Sequence, residues 1–301
     1  MTEATRVPAI GCCLTAGSFM AGLGGSAEAD AGRDPVDGLV NGIMETLRIG
    51  YDFAELTVRS LMDLSEPEFG RLRSRLADAN VNIPALNSFI PPGLKVTGPD
   101  VDEDALVRYV GLAIRRARAV GADIIVFGSG GARRVPDGFP AERAMKQVER
   151  FLAMTGDIAA EHGLTIAIEP LNRAECNLIN TVEQAVRLAE RARSPHIRVL
   201  ADAYHMHLER EPLGVVTRAA AASLLAHVHY AESDRGFPTG AKADGIRLPE
   251  LLRALREGGY TGRISAECFS ADASADRSAA RAGSLRYVRE CLRHITTRGA
   301  N

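Results

Sequence analysis

Four apolar runs in the second half of the sequence each end in a side chain that can bind a metal ion or transfer a proton. In chain order these side chains are Glu169, Asp202, His229 and Glu267. Carboxylate oxygens combined with one imidazole, and with no thiolate, favour Mn²⁺, Mg²⁺ or Co²⁺ over a structural zinc ion. The four residues therefore predict one divalent metal site, with Mn²⁺ as the first candidate.

The positions of these residues within their runs indicate that they point to one common place. Side chains alternate along a strand, so Glu169 shares a face with Ala167 and Thr165. The same parity pairs Asp202 with Leu200, His229 with His227, and Glu267 with Ser265. Converging carboxylates repel one another unless a cation lies between them. One strand-end glutamate is usually a salt-bridge partner, but four such residues on successive strands indicate a shared cation. We expect His229 rather than His227 to be the ligand, because it lies nearer the end of its run.

The chain that positions these residues alternates short apolar runs with segments of helical periodicity. The runs have the length and β-branched content of buried strands and lie at 7–14, 51–56, 82–89, 122–130, 164–171, 197–204, 225–233 and 262–269. Helical patterns occupy 39–47, 106–117, 140–161, 181–193, 214–224, 248–257 and 276–295. Four glycines close helices just before a strand, where a left-handed residue is needed, namely Gly50, Gly121, Gly163 and Gly259.

Eight strand–helix units in alternation predict an α/β fold with a parallel sheet, and eight strands close into a barrel. We therefore predict a single (β/α)8 TIM barrel over residues 1–301, with its site at the C-terminal ends of the strands. An open doubly wound sheet would need a GxGxxG turn after its first strand, and GCCLTAG at 11–17 does not match. Two long loops, 15–36 and 89–102, would lie over the same face, either as binding loops or as tolerated insertions.

Charge and composition exclude several classes of partner. A net charge of −2 over 301 residues offers no basic surface for nucleic acid or for an anionic membrane. The five cysteines are odd in number and form no CxxC motif, which argues against a disulfide framework. The N-terminus lacks the pattern of a secretory signal, and no apolar run approaches the ~20 residues that span a bilayer. We expect a cytoplasmic protein.

Four segments that contain the candidate residues resemble one known group of proteins. They are IAIEPLNRAECNLINT (166–181), VLADAYHMHLE (199–209), AHVHYAESDR (226–235) and ISAECF (264–269). The chain resembles the xylose-isomerase-like sugar isomerase/epimerase superfamily, and the ketose 3-epimerases in particular. The resemblance implies a small carbohydrate substrate, a homo-oligomer, and metal ligands at Glu169, Asp202, His229 and Glu267. It also implies that His205 and Arg235 hold the substrate's carbonyl oxygen, and that Glu175 hydrogen-bonds a substrate hydroxyl.

This set of residues could enolise a ketone. The proton next to a carbonyl is weakly acidic, and its removal gives an enediolate whose oxygen charge needs stabilising. A metal ion, Arg235 and a protonated His205 would supply that stabilisation. Glu169 and Glu267 would remove and return the proton. Return to the opposite face gives epimerisation, return to the neighbouring carbon gives isomerisation, and loss of a leaving group gives elimination.

Other interpretations remain open at this point. The segment FGSGGARRVPDGF at 127–139 resembles the large subunit of C-glycoside deglycosidases, which cleave 3-keto C-glycosides with a small β-sandwich subunit as partner. Inosose dehydratase is a related lyase. A DNA-repair endonuclease of the endonuclease IV type would need histidines on strands three and four, whose ends carry Asn87, Ser88 and Phe127 instead. GSGG at 128–131 predicts a tight turn near the substrate, with Arg133 and Arg134 leaving a sugar phosphate possible. Glu55, Asn87 and Ser88 are weaker candidates for substrate contacts.

Overall fold

Eight parallel strands form a closed barrel in the computed structural model, which describes residues 7–14, 34–242, 244–269 and 277–297. The strands are β1 (Ala9–Cys13), β2 (Phe53–Thr57), β3 (Ala85–Asn87), β4 (Ile124–Phe127), β5 (Thr165–Ile168), β6 (Ile197–Asp202), β7 (Leu225–Tyr230) and β8 (Arg263–Ala266). Each strand pairs with the next along the chain, and β8 pairs with β1 to close the ring. The predicted (β/α)8 barrel is confirmed.

Helices follow the strands and cover the outside of the barrel. They are α1 (Pro35–Ile49), α2 (Val58–Met62), α3 (Glu66–Asp78), α4 (Glu103–Ala119), α5 (Gly130–Arg133), α6 (Ala141–Glu161), α7 (Val182–Ala192), α8 (Ala203–Leu208), α9 (Gly214–Ala221), α10 (Leu248–Glu257) and α11 (Arg277–Thr297). All seven helical patterns found in the sequence correspond to helices. Helix α3, which begins with a Ser65–Glu68 capping box, was not predicted from the sequence, and neither were the short helices α2, α5 and α8. The four helix-closing glycines have positive φ, as predicted.

The barrel interior contains an apolar layer of side chains and, nearer the C-terminal ends of the strands, a polar layer. A small interior cluster contains Phe53, Ala85, Ile124, Val126, Ala167 and Leu200, while the larger core lies between strands and helices. Ala167 and Leu200 are the inward neighbours that strand parity assigned to Glu169 and Asp202. The parity argument is therefore correct for both strands. Polar side chains fill the interior above this apolar layer, toward the C-terminal ends of the strands.

The loop at 89–102 packs firmly onto the segment that follows β4. Ile90 N donates to Ser129 Oγ at 2.9 Å, and Val96 N donates to the Ala132 carbonyl at 2.9 Å. The Gln147 side chain from α6 bonds both backbone groups of Gly98. Most of the other long loop, at 15–33, lies outside the described residues. A search of the described residues for a helix able to span a lipid bilayer finds none.

Candidate metal and substrate site

The four side chains predicted to share an ion lie together at the C-terminal end of the barrel. Glu169, Asp202, His229 and Glu267 each offer a ligand atom, and these atoms all lie within 4.8 Å of one another. His229 Nδ1 lies 3.3 Å from Glu169 Oε1, 3.9 Å from Asp202 Oδ2 and 3.7 Å from Glu267 Oε2. All four residues are buried. The strand ends of β5 to β8 thus place three carboxylates around one imidazole nitrogen.

The electrostatics of this group favour a bound cation. Burial, with Glu267 as a like-charged neighbour, raises the pKa of Asp202 to about 6 and also raises the pKa of Glu169. Burial alone would raise the pKa of Glu267 as well, but the positive charges of Arg235 and His229 lower it below its usual value. A divalent ion would relieve the repulsion between these carboxylates. The donor set of three carboxylates and one imidazole fits a hard or borderline metal such as Mn²⁺.

Glu169 is held by the segment after β4. A Cβ atom at Gly128 would lie 2.1 Å from Glu169 Oε2, so any other residue here would displace this carboxylate from its present position. The fully buried Arg133 donates to the carbonyl oxygens of Phe127 at 3.0 Å and of Glu169 at 2.6 Å. Because its guanidinium bonds backbone carbonyls out of contact with solvent, Arg133 is not placed to bind a sugar phosphate. The glycine-rich segment at 128–131 and the neighbouring Arg133 therefore hold Glu169, a candidate metal ligand, in position.

His205 differs in charge from the sequence-based expectation. The backbone N–H of Asn172 donates to His205 Nδ1 at 3.2 Å, so Nδ1 is an acceptor and the ring hydrogen lies on Nε2. Burial lowers the pKa of His205. The expected protonated His205 is therefore wrong, and the residue is a neutral donor. Its Nε2 is buried and has no hydrogen-bond partner among the described residues, which leaves it available to a ligand oxygen.

Arg235 links the metal-ligand group to Glu175. Its guanidinium lies 2.6 Å from Glu267 Oε2 and 3.2 Å from Glu175 Oε1. The rings of Tyr204 and Phe269 lie beside it, with the guanidinium carbon 4.9 and 5.3 Å from their centroids. The Asn172 side chain donates to Glu175 at 3.0 Å. The structure thus brings all seven predicted site residues together, and it adds Asn172, Tyr204 and Phe269, which the sequence analysis did not identify.

Several loops at this end of the barrel contain a non-glycine residue with a left-handed backbone conformation. Positive φ angles occur at Ser88 after β3, Ser129 after β4, Ile179 after β5 and Arg235 after β7. For a β-branched residue such as Ile179, a φ of 60° is an energetic outlier. Strained residues persist where the surrounding structure holds them, and they often cluster at functional sites. Their location agrees with a site on this face.

Glu55 has a position that its sequence context did not predict. The residue is fully buried, and its two oxygens lie 2.8 Å from His227 Nε2 and 3.0 Å from His229 Nε2. It therefore lies in the barrel interior and is not placed to contact a substrate directly, so that expectation is wrong. Burial alone would raise the pKa of Glu55, but the two histidines hold it well below its ordinary value. The available signal was parity, because Glu55, His227 and His229 all point inward.

An eight-stranded barrel that gathers carboxylates and an imidazole at its C-terminal end has the architecture of a barrel enzyme, and these side chains form a candidate metal site. Residues 44–291 match the family described as Xylose isomerase-like TIM barrel, and the chain belongs to that family. The expected family resemblance is confirmed. Relatives of the chain include sugar epimerases, and the chain is an enzyme as well.

The chain is similar in sequence to two epimerases and similar in structure to a third. The D-psicose 3-epimerase of Agrobacterium fabrum is 28% identical over 236 residues, which cover 75% of this chain and 78% of that protein. The 3-dehydro-D-guloside 4-epimerase of Escherichia coli is 34% identical over 149 residues, 48% of this chain and 53% of that protein. The structure of an L-ribulose 3-epimerase superposes with a TM-score of 0.78 at 22% identity, covering 98% of this chain and 97% of that one. This last likeness supports the fold.

Proposed function

We propose that the protein is a divalent-metal-dependent sugar epimerase that acts on a ketose-like substrate through an enediolate. The observation that carries the proposal is the buried convergence of Glu169, Asp202, His229 and Glu267. Relatives that are named sugar epimerases support the same reaction class. A cytoplasmic location and a homo-oligomer belong to this proposal as well.

The four converging residues would hold the ion, with Mn²⁺ as the proposed metal and Mg²⁺ or Co²⁺ as alternatives. A bound divalent ion supplies Lewis acidity toward adjacent substrate oxygens and fixes their orientation. The protein contributes carboxylates that are already buried and close together, so little rearrangement is needed on binding. Gly128 and Arg133 keep the Glu169 side chain and backbone in place for this role.

Glu169 and Glu267 would exchange the proton. They follow β5 and β8, which are separated by β6 and β7, so their carboxylates enter the site from different positions on the ring. Removal of a proton by one carboxylate and its return by the other inverts the carbon between them. The Arg235 guanidinium, 2.6 Å from Glu267 Oε2, fixes the orientation of that carboxylate.

The remaining polar groups would recognise oxygens of the sugar. Neutral His205 would donate its Nε2 hydrogen to the carbonyl oxygen as negative charge develops there. Arg235 would add a fixed positive charge beside the same oxygen. Glu175, already bound by Arg235 and Asn172, would accept a hydrogen bond from a substrate hydroxyl.

A 3-keto glycoside is a second candidate substrate. The identity to the 3-dehydro-D-guloside 4-epimerase is higher than that to the D-psicose 3-epimerase, at 34% against 28%, although it spans fewer residues. Enolisation of a 3-keto glycoside would use the same residues. If the carbon next to the enediolate carries a leaving group, elimination follows, as in the deglycosidase and dehydratase alternatives.

A solvent-isotope experiment tests the proposed chemistry before the product is known. The purified protein is incubated in D₂O with D-psicose, D-fructose, L-ribulose or a 3-keto glucoside, with Mn²⁺ or with a chelator. We expect deuterium at the carbon next to the carbonyl only when metal is present, and Glu169→Gln and Glu267→Gln should suppress the exchange. Product analysis then separates epimerisation from elimination. Exchange of none of these substrates in the metal-loaded protein would contradict the proposal.

A further inference from the structure

A second polar layer lies in the barrel interior next to the metal-ligand group. Glu55 reaches from β2 to β7, two strands that do not pair with each other. Its Oε1 lies 3.0 Å from His229 Nε2, and its Oε2 lies 2.8 Å from His227 Nε2. Ser265 Oγ lies 3.2 Å from the same nitrogen of His227. All four residues are fully buried, so solvent does not compete for these hydrogen bonds.

The contact with Glu55 decides which nitrogen of His229 carries a lone pair. A neutral imidazole has one N–H donor and one acceptor nitrogen, and a carboxylate can only accept. His229 Nε2 must therefore carry the hydrogen that it shares with Glu55. Nδ1, on the other side of the ring, faces the carboxylates of Glu169, Asp202 and Glu267. Without an ion Nδ1 also lies within hydrogen-bond distance of a carboxylate, Glu169 Oε1 at 3.3 Å. An ion bound among these carboxylates would take the place of the Nδ1 hydrogen, while the shorter contact with Glu55 keeps a hydrogen on Nε2.

Glu55 is itself prevented from turning away. Its second oxygen is bound by His227 Nε2, and the ring of His227 lies against that of Phe53 with centroids 6.4 Å apart. Phe53 belongs to the apolar layer that closes the barrel interior. Both oxygens of Glu55 are thus held by hydrogen bonds, and the apolar layer packs next to the His227 ring that holds one of them.

We propose that Glu55 is a positioning residue of the metal site, which keeps the hydrogen of His229 on Nε2 and so directs the Nδ1 lone pair at the ion. The inference rests on the proposed metal site but not on the identity of the sugar. Outer partners of a ligand histidine typically change metal affinity by about 10–100-fold when they are removed.

A second ion is the competing interpretation. Cys13, Glu55 and His229 also have ligand atoms within 4.8 Å of one another. However, both oxygens of Glu55 are at hydrogen-bond distance from imidazole nitrogens, and an ion bound there would have to displace these contacts. The distances therefore favour a hydrogen-bonded layer that supports one ion.

Metal affinity, measured by competition with a chelator on the full chain, tests the proposal without any sugar. Glu55→Gln keeps the shape of the side chain but removes its charge, and we expect affinity for Mn²⁺ and Zn²⁺ to fall by about 10–100-fold. Glu55→Asp keeps the charge with a shorter reach and should restore part of the affinity. Glu211→Gln is the matched control, because Glu211 is a partly buried glutamate that binds Val182 N and Glu183 N at the start of α7. Its affinity should equal that of the wild type.

A spectroscopic readout on the wild type keeps the test valid even where a variant fails to fold. In the protein loaded with diamagnetic Zn²⁺ and labelled with ¹⁵N-histidine, NMR should show His229 protonated at Nε2 and not at Nδ1. A hydrogen on Nδ1, or unchanged affinity in folded Glu55→Gln, would overturn the proposal. So would two ions per wild-type chain that fall to one in Cys13→Ala. If Glu55→Gln weakens metal binding but no sugar is turned over, the proposed function fails and this inference stands.

Discussion

The two halves of the barrel have the same strand geometry but very different polar content. In the ligand half, β5 to β8, every strand end carries a carboxylate or an imidazole of the candidate site. In the supporting half, β1 to β4, the last strand residues are Cys13, Thr57, Asn87 and Phe127, and the carboxylate of Glu55 lies in the interior. The supporting half still acts on the site, through Gly128, Arg133 and Glu55. In the proposed function, the strand ends of one half would bind the ion, and residues of the other half would position its ligands.

The largest expected effect comes from the ligand half. Glu169→Gln and Glu267→Gln each remove a carboxylate of the proton exchange, so kcat should fall by about 10³-fold or more. The isosteric change should leave the fold intact, as judged by circular dichroism. Glu211→Gln is the control outside the site and should keep wild-type kcat. Near-normal turnover in either site variant would remove that residue from the proton exchange.

Removal of the metal should affect the ligand half first. Binding of an ion to the folded chain alone stabilises it by about 2.7 kcal/mol when the ion is present at 100 times its Kd. A chelator should therefore lower the melting temperature and abolish turnover, and Mn²⁺ should restore both. Hydrogen exchange should increase mainly in the segments that follow β5 to β8. An equal increase around β1 to β4 would show that the division between the halves is wrong.

Two buried arginines, Arg133 and Arg116, can separate an effect on the positioning of Glu169 from an effect on stability alone. Arg133 bonds the carbonyls of Phe127 and Glu169, whereas Arg116 bonds those of Leu61 and Leu64, away from the candidate site. Replacement by Met leaves buried carbonyls unpaired, so each variant should lose about 2–3 kcal/mol of unfolding free energy. Only Arg133→Met should also lower kcat, because the backbone of Glu169 is no longer held. Urea unfolding and initial rates measure the two quantities. Equal kcat in the two variants would contradict the positioning role.

The pH dependence of the metal-free protein gives the smallest of these effects. The pKa of Asp202 is raised from 3.8 to about 6, so the folded state binds more protons than the unfolded state between these values. This group therefore favours folding at low pH, and its destabilising effect grows as pH rises through about 6, by roughly 2–3 kcal/mol in total.

A comparison of Asp202→Asn with the wild type tests this contribution, since the buried histidines His205 and His227, which have lowered pKa values and titrate with the opposite sign, are present in both proteins. In the presence of a chelator, the variant should gain stability relative to the wild type as pH rises from 4 to 7. Unfolding free energies from urea titrations at several pH values measure the difference. If the difference in unfolding free energy between the two proteins stays constant across this range, then the Asp202 carboxylate does not destabilise the metal-free fold as its raised pKa predicts.

The sequence could predict the features that depend on local pattern. Alternating runs predicted the barrel, and strand parity predicted that Glu169, Asp202, His229 and Glu267 would meet. The helix α3 was missed because its apolar face is short, with only Phe69, Leu72 and Leu76 buried in a segment that is otherwise mostly charged. The role of Glu55 depends on a contact between β2 and β7, and the neutral state of His205 depends on a backbone N–H from another loop. Neither interaction has a signature within a single segment.

Asn172 holds both His205 and Glu175, the two residues proposed to contact sugar oxygens. Its backbone and side chain bind His205, and its side chain also binds Glu175. The spacing between the imidazole and the carboxylate is therefore set before any sugar arrives, and movement of this loop would carry both groups together. With the proposed roles of His205 and Glu175, such an arrangement would select substrates by the separation and orientation of two oxygens along the carbon chain. Selection among sugars would then follow the stereochemistry of those oxygens more closely than the overall length of the molecule.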